Sequence, residues 1–315
     1  MKNRFAEDIA EGLAVFPKKL SSKYFYDGKG DKLFQKIMAM PSYYVTRAEF
    51  ELLEQRSAEI VKALGPSNHL NIYELGAGDG TKTILLLKAL EKAEKSFTYW
   101  PVDISENILE TCRLNVLEVV PSAEIKPINV TYEEALNYIE YDEFSTNLIM
   151  FLGSNLGNLN HPQAIEFLKK INTRMRPQDW LMMGLDKMKS PAQILAAYND
   201  AEGITRDFNL NLLHRINREL NANFDVSKFI HWPVYNPESG TCNSYLVSTE
   251  EQEVTIGALN KTYKFTDSES IHTEVSQKYN LPTIEWLCEM SGLELKSVYT
   301  DKQELFYECL IKNLE

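Results

Sequence analysis

Glu74-Leu75-Gly76-Ala77-Gly78-Asp79-Gly80 ends the apolar run LNIYEL (residues 70–75) and leads into a stretch of helical periodicity that begins at Thr81. Glycines at alternate positions between a strand and a helix permit a tight turn and let the backbone approach a ligand closely. The third glycine comes one residue too early for the dinucleotide pattern GxGxxG, and no Gly-Lys-Ser/Thr follows as a P-loop requires. Glu74 and Asp79 also disfavour a phosphate ligand, which their carboxylates would repel, whereas a cationic ligand tolerates them.

Moving outward, further apolar runs recur at FTYWPVDI (97–104), AEIKPINV (123–130), NLIMFLG (147–153) and WLMMGL (180–185), with amphipathic stretches beginning near Thr81, Ser105, Glu133 and His161. This βα alternation predicts an α/β fold with a parallel sheet and crossover helices, which binds ligands at the carboxyl ends of its strands. Asp103, at the end of the second strand, is placed to accept hydrogen bonds from ribose hydroxyls. Near the end of the chain a helix around 282–291, closed by Gly292, precedes the strand-like runs LELKSVYT (293–300) and LFYECLIKN (305–313). Two successive strands there predict a hairpin that completes the sheet.

Between these parts the pattern changes near residue 200. A helical segment, Ala201 to Phe224, gives way to IHWPVYN (230–236), NSYLVS (243–248), EVTIG (253–257) and TYKFT (262–266), separated by turn signals at 237–240 and 259–260. A second, α+β module inserted into the first is expected. Ahead of the alternation, Thr46-Arg47-Ala48-Glu49 reads as a capping box opening a helix with Phe50, Leu53, Ile60, Val61 and Leu64 on one face.

Composition narrows the function. With 33 Lys+Arg against 45 Asp+Glu the net charge of −12 argues against nucleic acid or an anionic membrane as partner and favours a small ligand. The 44% hydrophobic and 25% charged fractions are those of a folded globular chain, not a disordered one. Cys112, Cys242, Cys288 and Cys309 are scattered, which reads as reduced thiols and a cytoplasmic location. The apolar run Leu13 to Phe16 is shorter than the roughly 7–15 residues of a signal peptide, and Leu148 to Leu152 falls far short of the about 18 of a membrane span. The five histidines show no HxxxH or HxH spacing, so no metal is assigned.

The loop E-L-G-x-G-x-G, the strand-2 acid and the terminal hairpin together resemble the class I (Rossmann-like) S-adenosylmethionine-dependent methyltransferases. A narrower resemblance is carried by Lys23-Tyr24-Phe25-Tyr26-Asp27-Gly28, Pro41-Ser42-Tyr43-Tyr44-Val45-Thr46-Arg47-Ala48-Glu49, Phe151 to Leu159, Ala197 to Thr205, Phe208-Asn209, Asn217 to Leu220 and Thr273 to Lys278. In collinear order over nearly the whole chain, these are similar to the L-histidine Nα-methyltransferases of ergothioneine biosynthesis. The resemblance implies S-adenosylmethionine as cofactor, a free amino acid as substrate, L-histidine first, a trimethylated betaine (hercynine) as product, and a monomer. It divides the chain into an N-terminal helical part of the substrate-recognition domain (1–55), a methyltransferase core (56–197), the inserted α+β recognition domain (198–281) and the end of the core (282–315).

By the same resemblance Gly76, Gly78, Lys82 and Asp103 hold the cofactor. Tyr43 lies beside the imidazole, Gly153 and Asn158 surround the amino and carboxylate groups, and Tyr198 holds the carboxylate. Tyr26 lines the pocket near both the reacting amine and the cofactor, so that Tyr26 and Asn158 are the catalytic candidates. Glu274 and Ser276 read the two ring nitrogens, since a carboxylate accepts an N–H and a hydroxyl either donates or accepts. Taken alone, Glu274 is a solvated strand residue, Asn158 a turn or N-cap residue, Tyr26 and Tyr43 packing residues and Lys82 a solvated helix charge; only collinearity assigns them otherwise.

Two departures stand out. Val130-Thr131-Tyr132 replaces a Gly-Asp-Phe pattern, leaving Thr131 as a neutral contact for the adenine, and Ser244 replaces a methionine beside the histidine side chain. The smaller, polar Ser244 gives up apolar contact worth about 0.8 kcal/mol per methylene and leaves room for another side chain. Two rivals therefore stay open: an N-methyltransferase for another aromatic amino acid or amine, and a catalytically silent homologue that only binds the cofactor.

Overall fold

In the computed structural model, which describes residues 2–314, the chain begins with α1 (Lys2–Ala14), β1 (Lys18–Lys19), α2 (Gly28–Ala39) and α3 (Val45–Ala63). The predicted alternation follows as β2 (His69–Leu75), α4 (Thr83–Lys92), β3 (Phe97–Val102), α5 (Glu106–Val119), β4 (Glu124–Ile125), α6 (Tyr132–Ala135), β5 (Ser145–Phe151), α7 (His161–Asn172) and β6 (Trp180–Asp186). Next come α8 (Pro191–Tyr198), α9 (Ile204–Leu220), β7 (Phe229–Asn236), β8 (Thr241–Ser248), β9 (Gln252–Ile256), β10 (Lys261–Phe265) and β11 (Ser270–Gln277). The last elements are α10 (Leu281–Met290), β12 (Leu293–Thr300) and β13 (Phe306–Asn313).

The chain forms two compact units. One holds the chain up to Tyr44 together with Lys189–Ser276, and the other Val45–Met188 together with the chain from Gln277 on. The family resemblance leads one to expect boundaries after residues 55, 197 and 281; the units divide after 44, 188 and 276, where α3 packs on α4 and β13 and α8 packs on β7.

The larger unit is built on a seven-stranded sheet in the order β12-β13-β6-β5-β2-β3-β4. All of it is parallel except β13, which runs antiparallel to both β6 and β12, so the terminal hairpin completes the sheet as expected. This α/β topology is the class I methyltransferase arrangement. Strands β2, β5 and β6 are buried along nearly their whole length, which is why their sequences are continuous apolar runs without alternation. Ser105 caps α5 with its side chain, and Asn160 and Gln163 form a reciprocal capping box for α7. The run AEIKPINV yields only the two-residue β4 and an isolated bridge from Val102 to Ile128. Pro127 lies between them and has no N–H to donate to a ladder.

The other unit pairs a four-stranded sheet, β1-β11-β8-β7, with the hairpin β9-β10. Its core gathers Phe5, Ile9 and Leu13 of α1 with Phe208, Leu212 and Ile216 of α9 and Leu246, Phe265 and Ile271 from the strands. Among the described residues no helix is long and apolar enough to cross a membrane, and no group of side chains is arranged to hold a metal.

Candidate active site

The loop after β2 turns through Gly76, Gly78 and Gly80 at φ +80°, +57° and +74°, a region that glycine enters without a Cβ penalty. The N–H groups of Gly76 and Ala77 donate to the Val102 carbonyl at 2.8 and 3.0 Å, pinning the loop to the end of β3. The Gly78 N–H donates to Asp103 Oδ2 at 3.3 Å, and Asp103 Oδ1 accepts from the Ser105 N–H at 3.0 Å. Burial raises the Asp103 pKa against these hydrogen bonds. A Cβ on Gly76 would stand 2.8 Å from Asn155 Nδ2 and 2.9 Å from the Tyr132 hydroxyl, and one on Gly80 would stand 2.7 Å from Cys112 Sγ. At Gly78 a Cβ would meet nothing within 4 Å, so the loop opens there onto free space.

Charge collects beneath this loop. The Glu74 carboxylate accepts from the Thr83 hydroxyl at 2.7 Å and from the Tyr99 hydroxyl; burial nevertheless pushes its pKa up to about 7. Lys82, just ahead of α4, pairs with Glu49. Burial works against the ammonium, but the Glu49 carboxylate outweighs it and holds the Lys82 pKa above its ordinary value. Glu49 is fully buried, and its other oxygen accepts the Gly153 N–H at 2.5 Å. The expected capping-box role of Glu49 is therefore corrected: the helix begins at Val45, and both Glu49 oxygens turn inward. Glu308, on β13, is also buried, and burial together with the charge on Glu49 keeps its pKa well above the usual carboxyl range.

A second cluster lies in the smaller unit, on β8 and β11. The Ser244 hydroxyl donates to Glu274 Oε2 at 3.2 Å, and the hydroxyls of Tyr198 and Ser276 share a hydrogen bond of 2.7 Å. The Thr273 hydroxyl, between them in sequence, reaches Asn209 Oδ1 at 2.9 Å and the Ser244 carbonyl at 3.0 Å, locking β11 to β8 and α9. Tyr26, 40% exposed, meets Phe34 and Phe208 edge-on at 5.5 and 5.6 Å, and Tyr43 packs on the same core.

Thus the structure brings together Gly78 with Asp103, Gly153 with Lys82, Ser244 with Glu274, and Tyr198 with Ser276. Other candidates stand apart from these pairs. Thr131 caps α6, and its hydroxyl already serves Glu134 at 2.8 Å. Asn158 is exposed at the end of a 3₁₀ turn, while the N-cap of α7 is Asn160. Glu49 was not legible as a site residue, although it closes the run Pro41 to Glu49 that carries the family resemblance.

Chemically, the larger unit offers an acidic acceptor for a sugar diol at Asp103 and an open glycine turn flanked by the Asp79 and Asp103 carboxylates, which favour a positive ligand over a phosphate. This donor set fits a nucleoside joined to a cationic group. The smaller unit offers a carboxylate and hydroxyls already oriented by neighbours, which suits a small molecule carrying ring N–H and carboxylate groups.

The family model for histidine-specific, S-adenosylmethionine-dependent methyltransferases matches residues 5–313. The chain is 35% identical over 294 residues to the histidine N-alpha-methyltransferase of Mycolicibacterium smegmatis, covering 93% of this chain and 90% of that protein. It is 36% identical over 295 residues to the enzyme of the same name from Mycobacterium tuberculosis, covering 94% and 90%. Ergothioneine biosynthesis protein 1 of Neurospora crassa is 30% identical over 305 residues, a match that takes in 94% of this chain and 33% of that longer protein.

Proposed function

The chain belongs to the histidine-specific, S-adenosylmethionine-dependent methyltransferase family, and from that premise we propose that it methylates the α-amine of free L-histidine, up to three times, to give the trimethylated betaine. The observation that carries the choice of substrate is the pair on β11: Glu274 held by Ser244, and Ser276 held by Tyr198. A fixed carboxylate accepts one imidazole N–H, and a hydroxyl that either donates or accepts serves the other ring nitrogen. By the family resemblance, Tyr43 and Tyr198 of the smaller unit are assigned to the ring and the carboxylate, and Gly153 and Asn158 of the larger unit to the amino and carboxylate groups.

When bound, S-adenosylmethionine supplies an activated methyl group on a sulfonium. Asp103 would accept its ribose hydroxyls, the turn Gly76 to Gly78 would let the chain's backbone approach it, Lys82 would hold its carboxylate, and Thr131 is assigned to the adenine by the family resemblance. What remains for the protein is to align an unprotonated amine, and positioning of that kind dominates the rate of a displacement. Tyr26 with ordered water would relay to solvent the proton that the ammonium must lose before attack. The four cysteines are all free and buried, which supports a reducing, cytoplasmic setting.

Mass spectrometry of the purified protein incubated with S-adenosylmethionine and the twenty amino acids tests this. Histidine gaining up to three methyl groups is the expected result. A gain on another aromatic amino acid would overturn the histidine assignment and point to the space left by Ser244, and no gain at all would favour a silent homologue.

A further inference from the structure

Glu49 is an anomaly by elementary electrostatics. An ionisable side chain that is fully buried is costly to keep unless it is paired and hydrogen-bonded. Its two oxygens serve different parts of the sheet: one pairs with Lys82, which follows the glycine turn after β2, and the other takes the N–H of Gly153, which follows β5. Strands β2 and β5 are parallel neighbours, so a single carboxylate ties together two loops at their carboxyl ends. The tie is short: the Lys82 ammonium stands 3.4 Å from where a Cβ on Gly153 would be. Space for the carboxylate is made in the sheet itself. Gly184, in the interior of β6, pairs with Glu308 across to β13, and a Cβ there would stand 2.5 Å from Glu49 Oε1 and 3.0 Å from Glu308 Oε1. A glycine inside a strand weakens it and often marks a close approach by another group.

We propose that Glu49 is a positioning residue of the methyl-donor site, fixing the Lys82 ammonium and the Gly153 N–H at a set separation, and that residue 184 is glycine so that this carboxylate can enter. The inference rests on the reading of Lys82 and Gly153 as contacts of the cofactor and the amino-acid substrate. Removing either hydrogen bond to the charged carboxylate lets Lys82 swing away from the loop. Glu49→Gln does so by removing the negative charge and leaving one acceptor oxygen for two donors; Gly184→Ala does so by displacing the carboxylate while changing no charge.

The test is calorimetric titration of S-adenosylmethionine into the wild type, Glu49→Gln, Gly184→Ala, Lys82→Met and the double variant Glu49→Gln/Lys82→Met, each checked by its melting curve, with KM and kcat measured alongside. Glu49→Gln and Gly184→Ala are expected to weaken cofactor binding about tenfold or more. The loss should appear in KM for the cofactor more than in kcat, and the double variant should bind no worse than Lys82→Met alone. Wild-type affinity in Gly184→Ala and Glu49→Gln, or losses that simply add in the double variant, would overturn the proposal. Should Glu49→Gln not fold, Gly184→Ala and Lys82→Met decide. A wild type that takes up no S-adenosylmethionine would overturn the cofactor reading itself, a result distinct from equal binding by wild type and variants.

Discussion

Ser244 on β8 donates its hydroxyl to Glu274 on the neighbouring strand β11, 3.2 Å away, at the position where the family resemblance leads one to expect a methionine. One oxygen of the carboxylate is thereby held by a neighbouring strand. Ser244→Ala should remove that restraint and raise KM for histidine several-fold, within the about 1.5–3 kcal/mol that a hydrogen bond to a charged group contributes. KM for S-adenosylmethionine should stay the same. Steady-state kinetics with each substrate varied in turn checks both statements.

The glycine turn gives a prediction that separates folding from binding. Gly78→Ala meets no neighbour, so its cost to stability is the left-handed backbone alone, about 1–2 kcal/mol. Gly80→Ala adds a collision with Cys112 Sγ, and should lose about 2–4 kcal/mol in all. Chemical denaturation measures both, and cofactor titration should find Gly78→Ala the more impaired of the two relative to its stability.

Burial pushes the pKa of Glu74 up to about 7 from the ordinary 4.5, so the folded state binds its proton more tightly than the unfolded chain does. The stability it contributes is complete below pH 4.5 and is lost as pH rises through 7. The loss is on the order of 3 kcal/mol. Glu74→Gln, which imitates the protonated acid, should flatten that part of the stability profile between pH 5 and 8, as measured by denaturation at a series of pH values.

His231 acts in the opposite sense. Its Nε2 is buried, and burial lowers its pKa to about 4 from 6.5, so the contribution of neutral His231 is complete above pH 6.5 and is lost as pH falls toward 4. Its loss is roughly 3 kcal/mol. In His231→Phe the acid limb of unfolding should shift to lower pH, which a pH-jump denaturation series would detect.

The sequence was most informative where chemistry is local. Gly76, Gly78 and Gly80 announce their turn because backbone conformation demands glycine there, and Asp103 is legible because a strand ends beside it. The apolar runs of β2, β5 and β6 announce burial on both faces. Glu49 was hidden because its partners, Lys82 and Gly153, lie 33 and 104 residues away, and a glutamate three residues after a threonine fits a local cap equally well. Gly184 was hidden for the same reason: the group that needs its missing side chain comes from α3. The bond from Ser244 to Glu274 spans 30 residues, and only the pairing of β8 with β11 makes it. Long-range pairs of this kind carry no periodicity, so pattern reading passes over them.

The place of β13 bears on how the molecule is made. It enters the sheet between β12 and β6 and is translated after every other strand of that sheet. Until it arrives, β6 presents an unpaired and, up to Asp186, apolar edge, the kind of template on which nascent chains associate. Glu308 reaches the Glu49 pocket on that same strand, so the burial of the acid cluster and the sealing of the sheet are one event, late in synthesis. A ribosome-bound or prematurely ended chain lacking β13 would be open to proteases and to edge-to-edge association.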